Sequence, residues 1–414
     1  DILSNGTRLR TQFSDALGNA KKGISVFNPS GWKRKGVIET GKELAYVEAP
    51  SLGTMPVDPG LIPDDVVHAE KSGSKLVLEN KSLRAEFSAS GELVRLLEKK
   101  SGREALAPGE TGNRFVLFDD FPNNWDAWDV DVFHLETREE IPGPANGKII
   151  ENKPLRAGLS FHRSFGPSSL QQKVFLDAGS GHLVFECEVD WRHRKKFLKV
   201  EFPVDVKNDE ATYEIQFGSV KRPTHFNTPY DLARFEVPAH KWIDLSEPGF
   251  GVSLFTDSKF GYAVHENVMR ISLLRAPLSP DPEADQGKHV FRYACYPHKG
   301  DHITAETVRR AWEFNEPMVL VPGLAEKKSF FSVDSPHLVI DTVKKAEDSD
   351  ALVVRLYECH GARGEAAFHI PDAFSKVFSA NLLEEKEKEN KTGANGERRL
   401  RFRPFEILTL ILEK

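Results

Sequence analysis

From Val66 onward, apolar and polar residues alternate with a period of two. Leu183, Phe185, Cys187, Val189 and Trp191 alternate with polar neighbours; so do Val200, Phe202, Val204 and Val206, then Tyr213, Ile215 and Phe217. That period marks half-buried antiparallel strands, and the dense turn signals between them predict a large sandwich. Shorter strands are expected over residues 75–80, 83–88 and 93–98. After the Val321-Pro322-Gly323 break they resume at 330–333, 338–343, 352–358, 367–370, 400–405 and 407–412. Before the sandwich, residues 24–27 read as a strand, 32–49 as one or two more, and 49–65 as a Pro/Gly-rich connection. Two stretches take a helical period instead. Residues 1–20 put Ile2, Leu9, Phe13, Ala16, Leu17 and Ala20 near one face, with Gly23 as a stop. A second helix is capped by Thr304, carries Val308, Ala311 and Trp312 on one face, and ends before Pro317. Residues 384–399 form a charged, solvated loop. The fold class is mainly β.

Composition narrows the function classes. The chain has 414 residues and a net charge of −6, with 62 acidic against 56 basic residues, which argues against a nucleic-acid surface. Its longest basic run, Arg192 to Lys196, lies between two alternating strands and is simplest as a solvated hairpin turn. Cys187, Cys295 and Cys359 are odd in number and far apart, which suits free thiols in a reducing compartment. Cys187 shares the apolar face of its strand and should be a buried, inert thiol. No signal peptide or membrane span is legible. A start at Asp1 points to a fragment or processed product and leaves a lost leader open. Asn5, Asn80 and Asn390 head formal glycosylation acceptors, which matter only in a secreted chain.

Residues 114–137, RFVLFDDFPNNWDAWDVDVFHLET, concentrate the candidate chemistry. Pro122 and Asn123-Asn124 break any helix, and the dozen residues from Asp119, with four carboxylates and two indoles, are too polar for a core strand. Trp125 and Trp128 stand three apart, as do Asp126 and Asp129. Flat aromatic faces beside carboxylate acceptors suit a sugar, whose C–H faces stack and whose hydroxyls need fixed polar partners. The same residues also fit a loop whose indoles plug a sheet edge while its carboxylates cap turns, and both readings stand. His298-Lys299-Gly300-Asp301-His302 is the one compact cluster of metal-ligand types in the sequence. Gly300 argues against a continuous helix there, and a turn into the Thr304 helix explains the segment without an ion. Dinucleotide, phosphate-loop, GxSxG and HExxH signatures are absent.

Three later stretches share this mix of aromatic and charged residues: KRPTHFNTPYDLARFEVPAHKWIDLSE at 221–247, LLRAPLSPDPEADQGKH at 273–289, and Arg355-Leu356-Tyr357-Glu358. With WDAWDV, in this order and at this spacing, they resemble the cytosolic-type α-mannosidases of glycoside hydrolase family 38. The resemblance runs over nearly the whole chain and covers the carboxy-terminal, β-rich part of those enzymes. It implies the end of a helical bundle at 1–23, a small β domain at 24–65, a large β supersandwich at 66–325 and a C-terminal β sandwich at 326–414. The amino-terminal α/β barrel is missing.

By the same resemblance, the reaction is retaining hydrolysis of terminal α-linked mannose, with one carboxylate attacking the anomeric carbon and a second protonating the leaving oxygen. Zinc in the family is held by two His and two Asp, one Asp being the nucleophile. None of those motifs occurs here, so no catalytic residue and no metal ligand is carried over, and no zinc is expected in this chain. What it is expected to contribute is wall. Trp125, Asp126, Trp128 and Asp129 are the aromatic and acidic substrate contacts, with Arg275 in LLRAP and Asp285 in the 281–287 loop beside them. The arginine's flanking residues and the acidic spacing differ from those of the Golgi and lysosomal branches. Implied partners are the barrel of the same enzyme, a mannose-terminated oligosaccharide and further copies in a homo-oligomer, with no nucleic acid and no membrane. Members of this branch are cytosolic, and some fungal ones are carried into the vacuole. The competing reading is a non-catalytic carbohydrate-binding or scaffolding β module.

Overall fold

A computed structural model describes residues 2–18, 22–41, 43–390 and 398–414. Ala20 and residues 391–397 of the expected 384–399 loop lie outside the described residues, as does the rest of the acceptor that Asn390 heads. The chain is mainly β. It divides into two units. One takes in residues up to Leu61, Gln216–Ser219 and Glu316–Lys414; the other comprises Ile62–Ile215 and Val220–Asn315.

The larger unit is built from three antiparallel sheets around one core. The widest runs through Arg156–Phe165, Ser168–Asp177, Leu183–Trp191, Gly287–Lys299, Phe250–Thr256 and Trp242–Glu247. A six-stranded sheet has Arg114–Asp119, Lys196–Pro203 and Val268–Leu274 in consecutive places. The third runs from His68–Ser72 through Lys75–Glu79, Leu83–Phe87 and Leu93–Glu98 to Arg103–Glu104. As the alternation requires, Leu183, Phe185, Val189 and Trp191 are fully buried and Cys187 is nearly so. Burial pushes the Cys187 thiol up to about 12, which leaves almost no thiolate at neutral pH. An ordinary thiol reagent should therefore leave Cys187 unlabelled in native protein and react with it on unfolding. Rapid native labelling would contradict this burial.

Lys196–Pro203 departs from the half-buried pattern: every residue after Lys196 is buried. Its apolar positions Leu198, Val200 and Phe202 face the core, while Lys199 and Glu201 are buried on the other face by ion pairing. Nor is Arg192 to Lys195 a hairpin turn. Leu183–Trp191 and Lys196–Pro203 belong to different sheets, so the basic run carries the chain from one sheet to the other.

The second helix occupies Thr307–Asn315, starting two residues later than a cap at Thr304 would place it. Thr304 and Asp301 instead close a turn on each other, with Thr304 N–H donating to Asp301 Oδ1 at 2.8 Å and Asp301 N–H to Thr304 Oγ1 at 3.0 Å. Val308, Ala311 and Phe314 are the apolar side chains this helix buries, while Trp312 stays part-exposed beneath the Lys241 ammonium, 4.3 Å from its ring centroid.

In the smaller unit the helix Ile2–Leu17 precedes Ile24–Asn28, and Phe13 meets Phe27 edge-on at 5.0 Å. A five-stranded sheet includes Leu338–Lys345, Leu352–Glu358, Ile407–Glu413 and Lys376–Ala380 in that order. The expected charged loop is partly sheet. Lys386–Glu389, exposed at every position, adds the last strand of this sheet, an edge whose charges discourage further pairing. Asn80 is no glycan acceptor in the folded chain. It is 3% exposed, and its amide donates to the carbonyls of Asp177 and Ser180 at 3.1 and 2.8 Å.

Candidate functional site

The loop after Arg114–Asp119 has no regular structure until the 3-10 turn Val132–Thr137. A loop that irregular needs outside fixings, and its carboxylates supply them. Asp120 is 1% exposed and forms a two-pronged ion pair with Arg275, Nε to Oδ2 at 2.8 Å and Nη2 to Oδ1 at 3.0 Å. Such parallel N–H···O pairs fix orientation as well as distance. The same Nη2 also donates to the backbone carbonyls of Asp126 and Asp129, at 3.1 and 2.5 Å. Asp126 accepts from the Lys195 ammonium and from the backbone N–H groups of Leu278 and Ser279, at 2.7 and 3.1 Å. Burial alone would raise the Asp126 carboxyl. The lysine and the two backbone donors outweigh it and hold the group below its ordinary value.

Further along, Asp131 Oδ2 accepts from Asn123 N–H at 2.6 Å. The buried His134 donates Nδ1–H to the Asp131 carbonyl at 2.8 Å and packs edge-on against Phe118 at 5.0 Å. Burial, with the Lys199 charge nearby, brings His134 down to about 4, so it stays neutral at physiological pH.

Held this way, the loop turns its indoles outward. Trp125 and Trp128 are each 70% exposed, and Trp125 takes a left-handed backbone conformation, φ 55°, from which its carbonyl accepts both Trp128 N–H and Asp129 N–H. They do not plug a sheet edge. With Asp126, Pro122, Lys195 and Pro280 they help line an open depression of ≈ 450 Å³. That lies within the range of small-molecule pockets, about 300–1,000 Å³.

The six sequence-predicted site residues therefore separate. Trp125, Asp126 and Trp128 line the depression. Asp129 is exposed next to Trp128, and its carbonyl is held by Arg275. Among the described residues, the hydrogen bonds of Arg275 go to Asp120 and to this loop, so Arg275 positions the loop. Asp285 is exposed, does not line the depression, and gives its carbonyl to His289 Nε2 at 2.8 Å. Two positions that matter here escaped the sequence reading. Lys195 was hidden in what looked like a solvated basic turn, and Asp120 looked like one acidic residue among several. The signal available was the LLRAP arginine, since a guanidinium set among apolar residues needs fixed acceptors and a carboxylate is the strongest of them.

The His298 cluster is committed elsewhere. His298 Nε2 lies 2.8 Å from Asp244 Oδ2 and 3.2 Å from Ser253 Oγ, and the His302 ring stacks on Trp242. Among the described residues no group of two His and two Asp comes within ligand distance of one another.

The frame is that of a multi-sheet antiparallel β-sandwich protein carrying one rigidly staked aromatic loop. Residues 78–283 match the Glycosyl hydrolases family 38 C-terminal domain, and residues 337–410 match that family's C-terminal beta sandwich domain. The chain belongs to glycosyl hydrolase family 38, as its carboxy-terminal part. Alpha-mannosidase 2C1 of Homo sapiens is 41% identical over 436 residues, covering 100% of this chain and 42% of the human protein. Alpha-mannosidase G of Dictyostelium discoideum is 35% identical, covering 99% of this chain and 38% of its own length. The chain thus spans about two fifths of these relatives. A crystal structure of an alpha-mannosidase from Enterococcus faecalis V583 superposes with a TM-score of 0.72 at 16% identity, over 95% of this chain and 51% of that one, a likeness of fold.

Proposed function

We propose that this chain is the β-rich portion of a zinc-dependent, retaining α-mannosidase, and that it walls the sugar site while a barrel supplies the chemistry. The observation that carries this reading is the display of Trp125 and Trp128, outward and beside carboxylates, on a loop fixed by Asp120–Arg275 and Asp126–Lys195. Exposed indoles cost solvation unless something covers them, and a sugar's C–H face does so while Asp129 accepts its hydroxyls. Arg275 and Asp126 act through the loop, as positioning residues. Nucleophile, acid/base carboxylate and catalytic zinc belong to the barrel; zinc there would act as a Lewis acid on the sugar oxygens. Free mannose-terminated oligosaccharide in the cytosol, or in the vacuole for fungal members, is the substrate this reading names.

The test uses the complete enzyme beside the 414-residue chain. The chain alone should not turn over an aryl α-mannoside. In the complete enzyme, Trp128→Ala and Asp129→Asn should keep a native melting temperature and lower kcat/KM about tenfold to a few hundredfold, the rate equivalent of one lost charged hydrogen bond or stacking contact. Unchanged kinetics in both folded variants would return the loop to scaffolding and favour the non-catalytic module.

A further inference from the structure

His337 stands just before Leu338–Lys345, and Glu358 and His360 stand at and just beyond the end of Leu352–Glu358. The register pairs Leu338 with Glu358, and Cys359 N–H donates to the His337 carbonyl at 2.9 Å, which brings the three side chains to one corner of the sheet. Their ligand-type atoms all lie within 4.8 Å of one another. The two imidazoles meet Nδ1 to Nδ1 at 3.1 Å, with ring planes 86° apart. Two nitrogens on one tetrahedral zinc, with bonds of about 2.0–2.1 Å, would stand about 3.3 Å apart. Little movement separates the present arrangement from a coordinating one.

The carboxylate is prepared in the same way. Glu358 is fully buried, and among the described residues no Lys or Arg forms an ion pair with it. Its Oε2 accepts from Gly361 N–H at 2.8 Å and Phe405 N–H at 2.9 Å, while among the described residues Oε1 accepts from His360 N–H alone, at 2.9 Å. A carboxylate oxygen has two acceptor positions, so Oε1 keeps one. Gly361 makes the wrap possible: its φ of 75° turns the chain back over the carboxylate, and a Cβ there would meet the Phe405 ring at 3.1 Å. Backbone donors that orient a ligating carboxylate are the support that metal sites need.

We propose that His337, Glu358 and His360 form a divalent transition-metal site in the smaller unit, with zinc as its occupant and a fourth position open to water. Two imidazoles and a carboxylate suit zinc and the later first-row ions and are poor ligands for magnesium or calcium. Both histidines are half-buried, so the ion has a way in. This replaces the expectation that the chain holds no zinc, and it concerns neither the family's catalytic ion nor the aromatic loop. The second group within ligand distance, His68, Glu70 and Glu79, serves as the comparison: Glu79 is already bonded to Arg84 and Lys99, and His68 is exposed.

The experiment is equilibrium dialysis of the 414-residue chain, stripped with a chelator, against micromolar zinc with magnesium in excess. One equivalent of zinc should remain bound. His337→Gln and His360→Gln should each lose it with their circular dichroism unchanged, and His68→Gln should keep it. Cobalt(II) added to the stripped, unsubstituted chain should give visible ligand-field bands that zinc abolishes, a readout that needs no variant. The proposal is overturned if the stripped chain retains no zinc, or if both histidine variants retain the full equivalent.

Discussion

Arg275→Met should be among the most destabilising single changes in the larger unit. It leaves the Asp120 carboxylate, 1% exposed, without its two-pronged partner, and releases the carbonyls of Asp126 and Asp129. Breaking a buried pair from one side costs about 3–5 kcal/mol, because the remaining charge stays buried. For a unit of this size that corresponds to a fall in Tm on the order of 10 °C. Asp120→Asn should cost less than Asp120→Ala, since the amide can still accept one guanidinium bond. A double-mutant cycle over Asp120 and Arg275 should return a large coupling energy, and additive losses would show that the pair does not act as a unit. In the complete enzyme, activity should fall with the loop's order, and Arg275→Lys should restore little because an ammonium cannot make the fork.

A second large effect is expected at Glu201. Its carboxylate is 1% exposed and is met by Arg138 Nη2 at 2.7 Å, Arg270 Nε at 2.7 Å and Arg114 Nη2 at 3.6 Å. Burial acts to raise this carboxyl, and the bonds from Arg138 and Arg270 overcome it, so the group sits below its ordinary value. The sign follows from linkage: a carboxyl lowered in the folded state adds stability that is complete above its unfolded value, about 4.3, and is lost as pH falls through the lower folded value. Glu201→Gln should therefore cost about 3–5 kcal/mol at neutral pH, and its deficit should shrink as the medium is acidified below about pH 4. Melting curves of both proteins from neutral pH to about pH 3 provide the measurement. A deficit that stays constant over that span would show that ionisation of Glu201 is not what the arginines hold.

Strands were legible at several stretches with one apolar face, but not at all of them: Ser168–Asp177 and Val268–Leu274 alternate as cleanly and went unread. Leu93–Glu98 and Leu352–Glu358 fall where the alternation puts them, and Leu183–Trp191 buries each of its odd positions. Alternation says nothing of what covers the other face, which is why the burial of Lys199 and Glu201 was missed. It is equally silent on sheet membership, so a linker crossing between sheets looked like a hairpin. At the candidate site, residue type announced the indoles and carboxylates. Which carboxylates hold the loop and which stay exposed depends on partners such as Lys195 and Arg275, 69 and 149 residues from Asp126. The His337, Glu358 and His360 group was hidden for the same reason: its members meet only through the pairing of Leu338 with Glu358.

The order of strands in the widest sheet bears on how the chain is made. Leu183–Trp191 finds one neighbour early, in Ser168–Asp177, but its other neighbour is Gly287–Lys299, with Leu183 opposite Cys295 and Trp191 opposite Gly287. At synthesis rates of about 5–20 residues per second, the second neighbour emerges roughly 5–20 s after the first pairing is possible. Through that interval the nascent strand offers an open edge flanked by Phe185, Cys187 and Val189, a template for pairing with another chain. Contacts so distant in sequence also form slowly once the chain is complete. The interior that makes Cys187 inert in the finished molecule is thus an exposed apolar face in the unfinished one.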